Sequence, residues 1–279
     1  MKPLALLRSF GFMLLVLAAN TSGAAAQSQP PALPAPLNLD IVGIKLGMPI
    51  KDALAAVKAD NPGLSLTPQT LQLEGFAQPF VTTVMAQQAG VAGKDSEGLE
   101  LQFTMPPARQ VLWGVRRTYS YTKENMPSLE NTLAALRKKY GPENIPADTD
   151  PRNLTKNITW IFDAQGRPVP SGEAKSLNMT CTNYLGTPFG GGAGIRNDLA
   201  GANPPPAQCI PLSMVTASVQ ASSGVIPGSI VVYNLILQLA DGPIYRTSLE
   251  ATRAIAIAAA NNREHRQKQE VDKRGAPKI

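Results

Sequence analysis

The chain has 279 residues, is 43% hydrophobic, and carries 26 Lys and Arg against 20 Asp and Glu, a net charge of +6. Such a composition supports a sizeable core and excludes wholesale disorder. The charge bias is mild and no recognised nucleic-acid motif is present, so a nucleic-acid partner is not expected.

In chain order, residues 1–26 read as a cleavable export signal. Lys2 and Arg8 form a short positive start, an apolar stretch follows, and Ala24-Ala25-Ala26 precede Gln27. The apolar stretch is nearer 10 residues than the roughly 20 that span a bilayer, which favours cleavage over anchoring. No Cys follows it, so no lipid anchor is expected, and nothing later is apolar enough to span. The expected location is therefore the periplasm or the exterior. Residues 27–38 form a Pro-rich leader, expected to be extended rather than packed.

A first α+β unit is expected over residues 39–124. It opens with a short strand-like run at 39–44, then a helix after Gly47-Met48-Pro49 with Ile50, Leu54 and Val57 as its buried stripe. Residues 74–87 read as extended, and 99–105 alternate as a strand with one buried face. Residues 111–122 read as one long strand whose odd positions are Val111, Trp113, Val115, Arg117, Tyr119 and Tyr121.

A second unit is expected over residues 125–243. A helix at about 128–140 is stopped by Gly141-Pro142, and a strand at 158–163 carries Trp160 and Phe162. Residues 212–219 and 229–239 read as a hairpin of long strands. Between these lies a Gly- and Pro-rich loop with the chain's two cysteines, Cys181 and Cys209. An even cysteine count in an exported chain predicts a disulfide between them. Residues 244–279 are expected to form a helix from about Ser248, with Thr247 and Glu250 at capping-box spacing, and then a basic tail. The tail is a candidate for contact with an anionic surface.

The two helical segments share a pattern. Met48-Pro49, Leu54-Ala55-Ala56-Val57 and Pro62 parallel Met126-Pro127, Leu133-Ala134-Ala135-Leu136 and Pro142. The expected fold class is thus α+β, with two helix-plus-antiparallel-strand units, in tandem or sharing one sheet, and a C-terminal helix.

Gly47-Met48-Pro49 before an amphipathic helix resembles the opening of small bacterial envelope domains. These are the outer-membrane assembly small-lipoprotein domain and the tandem-repeat β-lactamase inhibitor protein. Tyr140-Gly141-Pro142, the Trp160 strand and Phe162-Asp163-Ala164-Gln165-Gly166 are similar to that family's second half. The resemblance covers roughly residues 41–169. It implies a non-enzymatic module that binds an envelope protein through an exposed sheet face; the missing lipobox cysteine departs from the lipoprotein pattern.

No residue pattern points to catalysis, a metal or a cofactor. His265 is the single histidine and lies in the charged tail, which removes Ser-His, Cys-His and histidine-metal arrangements. Asp148 and Asp150 are the nearest carboxylate pair, the basis of an alternative reading as a glycan hydrolase. Their Ala-Asp-Thr-Asp-Pro context reads as a turn. A further alternative is a structural surface protein docked on anionic polymer by its tail. The candidate binding residues are Trp113, Arg117, Tyr119 and Tyr121, because Trp, Tyr and Arg are enriched at binding hot spots. The same strand face also reads as core, since Val111 and Val115 lie among them.

Overall fold

A computed structural model describes residues 30–88, 93–146, 154–186, 192–200, 206–223, 225 and 228–274. The expected signal segment, Asp148, Asp150 and part of the Gly-rich loop lie outside the described residues. β1 (Asp40–Ile41) and β2 (Ile44–Lys45) form a small hairpin, and α1 (Ile50–Asp60) follows. A meander of four strands comes next: β3 (Ser65–Leu71), β4 (Phe80–Gln87), β5 (Ser96–Phe103) and β6 (Leu112–Ser120). Then come α2 (Leu129–Tyr140), β7 (Thr155–Phe162), α3 (Ser171–Gly186), α4 (Gly192–Ala200), β8 (Ser213–Ser223), β9 (Ile230–Asp241) and α5 (Gly242–Lys273).

The strands make one antiparallel sheet of seven in the order β3-β4-β5-β6-β9-β8-β7. The two units therefore share one sheet, and their last strands, β6 and β9, form the seam. Each meander is preceded by a helix, and both helices pack on the same face. There Ala53 and Val57 of α1 and Leu136 and Tyr140 of α2 bury Leu101, Val115, Leu239 and Trp160. The 3.6-residue helix period meets the 2-residue strand period on that one apolar surface.

Among the described residues, the opposite face is covered at only one end of the strands. Trp113, Ile161, Met214 and Ala240 pack beneath Leu177 and Leu185 of α3 and Ile244, Tyr245 and Leu249 of α5. The Cys181–Cys209 disulfide lies in this second core with both sulfurs buried, and ties α3 to the turn before β8. Among the described residues no helix is long and apolar enough to cross a membrane.

Several expectations are corrected. The described part of the leader has no helix or strand and is mostly exposed, but two of its side chains are packed: Leu33 and Leu37 lie against the two cores, and the Leu37 N–H donates to Asp241 at 3.5 Å. Gly47, at φ +78°, lets Pro36 cross it; a Cβ there would sit 2.4 Å from the Pro36 ring. β3 occupies a stretch with no assigned strand, and the expected extended run at 74–87 begins only at Phe80. Within α1 the fully buried residues are Ala53 and Val57, with Ile50 and Leu54 at the margin. The segment leading to Cys181 is helix α3, since Ala174, Leu177, Cys181 and Leu185 recur at helical spacing toward the core. α5 starts at Gly242, six residues earlier than expected, because Asp241 caps it by accepting from the Ile244 N–H at 3.0 Å. Thr247 and Glu250 then lie inside the helix, bonded to the Pro243 carbonyl and to Arg246.

Candidate binding surfaces of the sheet

The four residues singled out, Trp113, Arg117 and Tyr119 on β6 and Tyr121 just after it, divide between the two faces. Between β5 and β6 the pairing shifts: Phe103 faces Leu112 while Gln102 faces Gly114, so Trp113 is an extra residue in a β-bulge. The bulge sends Trp113 to the α5 side, where it is fully buried and stacks on Tyr245 at 4.2 Å between centroids. It is a core residue and is withdrawn from the candidate binding set. Val115 returns to the α2 side, and Arg117, Tyr119 and Tyr121 follow it there.

Those three form a cluster at the far end of β6. The Arg117 Nε donates to Glu97 Oε1 at 2.6 Å, and its guanidinium carbon lies 5.0 Å from the Tyr119 ring centroid. The rings of Tyr119 and Tyr121 are 4.7 Å apart. The Tyr119 hydroxyl donates to Asp95 Oδ2 at 3.0 Å, and burial with that bond raises the phenol's pKa. Asp95 also accepts from the Thr122 N–H at 2.7 Å, the Thr122 hydroxyl at 2.8 Å and the Asn125 amide at 3.1 Å. The Thr122 N–H, with these further donors, holds the carboxyl of Asp95 below the usual aspartate value. A buried arginine without a partner would be costly; Glu97 supplies that partner.

The uncovered half of the opposite face was not singled out on the sequence. The strand registers lay it out in three rows, two crossing six strands and the third crossing five. The first reads Met85, Glu100, Arg116, Gln238, Thr216 and Thr159. The second reads Gln87, Gly98, Thr118, Ile236, Ser218 and Asn157, and the third runs through Ser96, Ser120, Asn234, Gln220 and Thr155. Most of these side chains are half-exposed or exposed. At strand spacings of about 4.8 Å and residue rises of about 3.4 Å, the platform is roughly 24 Å wide and 14 Å along the strands.

Its chemistry is unlike an ordinary surface. Only Glu100 and Arg116 are charged, and the rest are amides, hydroxyls, Met85, Ile236 and Gly98. Glu100 is 5% exposed and accepts from the Gln102 amide at 2.7 Å, and Gln102 in turn accepts from Thr83 at 3.0 Å. The Ser120 hydroxyl donates to Asn234 at 3.3 Å, and the Asn234 amide donates to Gln220 at 3.1 Å, so the third row is held in place. Over Gly98 the platform sinks into a recess of about 480 Å³ walled by Met85, Gln87, Arg116 and Thr118. A Cβ on Gly98 would meet nothing closer than the Ala86 carbonyl at 4.0 Å. The recess is therefore made by a glycine that packing does not demand.

A sequence signal for this surface exists in the second hairpin. Thr216, Ser218 and Gln220 alternate with buried Ala217 and Val219, and Asn234, Ile236 and Gln238 alternate with Leu235 and Leu237. On β6 the bulge hides the same pattern. Among the described residues no group of three or more His, Cys, Asp or Glu could hold a metal ion. His265 is exposed on α5. No family model, no curated protein and no solved structure matches the chain.

Proposed function

We propose that this chain is an exported, non-enzymatic binding protein of a bacterial cell envelope, and that a protein partner docks on the open half of its sheet. The observation that carries the reading is the charge depletion of the platform. Ordinary surfaces are about 25–35% charged, whereas interface cores lose Lys, Glu and Asp and keep Arg. A polar surface of this breadth, which extends well beyond the recess over Gly98, suits a macromolecule better than a small ligand, which a concave site alone would hold. The resemblance to envelope domains implies the same use of a sheet face. The Cys181–Cys209 disulfide and the expected signal at residues 1–26 support an oxidising compartment outside the cytoplasm.

Site-specific photo-cross-linking in envelope extracts tests this directly. A benzophenone side chain placed at Thr118 or at Ser218 yields one discrete protein adduct, and the same group at Asp60 on α1 yields none. Equal adducts from all three positions, or none from any, would contradict the proposal.

A further inference from the structure

Arg117 and Tyr121 line a second concavity, on the α2 side of the sheet and so independent of the platform. It is a groove of about 320 Å³ between α2, the β1–β2 hairpin and strands β6 and β9. That volume lies at the low end of small-molecule pockets, which run from about 300 to 1,000 Å³. Its walls are apolar, made chiefly by Ile41, Val42, Pro127, Leu136, Leu235 and Leu237.

The charged groups that line it are both cations, Arg117 and Lys139; no carboxylate is among the lining residues. Glu97, with its side chain 4% exposed, binds Arg117 through Nε alone. That contact, with the Tyr119 ring centroid 5.0 Å from the guanidinium carbon, holds one edge of the group. Its two terminal amino groups have no hydrogen-bond partner among the described residues. The Tyr121 hydroxyl has none either, whereas the neighbouring Tyr140 hydroxyl is spent on the Asp40 carbonyl at 2.9 Å. Lys139 sits at the rim, 2.8 Å from Asp40. The lining of the apolar trough thus includes a guanidinium whose amino groups are unengaged and a free phenol. This is the geometry that receives a planar carboxylate by two charge-assisted hydrogen bonds.

We propose that the groove binds a small amphipathic carboxylate, with its hydrocarbon body between α2 and β9 and its acid on Arg117 and Tyr121. A neutral or cationic molecule of the same length leaves the guanidinium fork unused or repelled. The site adds a ligand to a protein proposed above only as a protein binder.

The test is calorimetric titration of the full exported chain with decanoate, decanol and decyltrimethylammonium. Decanoate binds at least about tenfold more tightly than either comparator, since a bidentate ionic contact is worth that factor or more. Ala135, exposed on α2 and lining the groove, can carry a larger side chain without disturbing the core. Ala135→Phe fills the groove and weakens decanoate about tenfold or more, with an unchanged melting temperature. Arg117→Lys keeps a cation beside Glu97 but removes the fork, and weakens decanoate while sparing decanol. Equal affinity for the three probes, no heat with decanoate at about 5 mM, or full affinity in Ala135→Phe would each overturn the proposal.

Discussion

At Trp113 the chain gains one residue on β6 relative to β5, and its indole turns toward Tyr245 while Val115 turns toward α2. A stacked, fully buried Trp contributes both area and ring geometry to the second core. Trp113→Ala is therefore expected to destabilise the fold by about 3–5 kcal/mol in denaturant unfolding. A loss under about 1 kcal/mol would contradict its place in the core. The odd-position reading of β6 was correct for Arg117, Tyr119 and Tyr121 as a set. It failed at Trp113 because one inserted residue reverses the side of everything before it. A bulge leaves no more trace in a sequence than the Trp-Gly pair seen here.

α5 begins where β9 ends, and Asp241 serves as the last residue of the strand and the cap of the helix. Burial drives its carboxyl up from the ordinary value of 3.8 to about 6, against the N–H bonds of Ile244 and Leu37. The sign follows from linkage. Below the unfolded value both states hold the proton and nothing is lost. As pH rises toward and through the folded value, the unfolded chain ionises first and stability falls, by up to about 3 kcal/mol from this one group. Asp241→Asn keeps an N-cap and removes that slope. From pH 4 to pH 7 the variant should therefore gain unfolding free energy relative to the parent, by up to about 3 kcal/mol. Identical pH dependence in both would contradict the assignment.

Other elements were legible to differing degrees. α2 matched expectation because Ser128, Leu136 and Gly141 give it a cap, a core residue and a stop. The Cys181–Cys209 bridge likewise needed only an even cysteine count in a chain whose sequence reads as exported. α3 was not legible because Gly and Pro at its flanks outweighed a helical stripe of only four residues, one of them a cysteine. α5 runs about 48 Å at 1.5 Å per residue, and its last residues, from Glu264 onward, are exposed. Arg263 of this helix pairs with Glu74 at 2.9 Å. Beyond it, Glu264 and Lys268, and Glu270 and Arg274, fall at the i,i+4 spacing that sustains a solvated helix.

At the scale of the molecule, two meanders joined through β6 and β9 give a sheet wider than any described element covers on its second face. The α+β class could be read from the paired Met-Pro helices and their strands, but the sequence left open whether the strands stand in tandem or share one sheet, and the structure joins them in one. Which half of which face stays open could not be read. That depends on α3 and α5 crossing only one end of the strands, a tertiary fact with no local signature. The open half is where the account places function, and Gly98 is its most sensitive point.

The most direct measurement is quantitative capture of envelope proteins by the chain from Gln27 onward and by its Gly98→Thr variant, alongside the melting temperature of each. Gly98 sits in strand β5 with room for a Cβ, and Thr favours strands, so the variant is expected to be as stable as the parent or up to about 1 kcal/mol more so. With the recess filled, recovery of the cross-linked partner should fall about tenfold, the loss of roughly 1.4 kcal/mol of binding. Undiminished capture by a fully folded Gly98→Thr would contradict the claim that the open half-sheet is the binding surface.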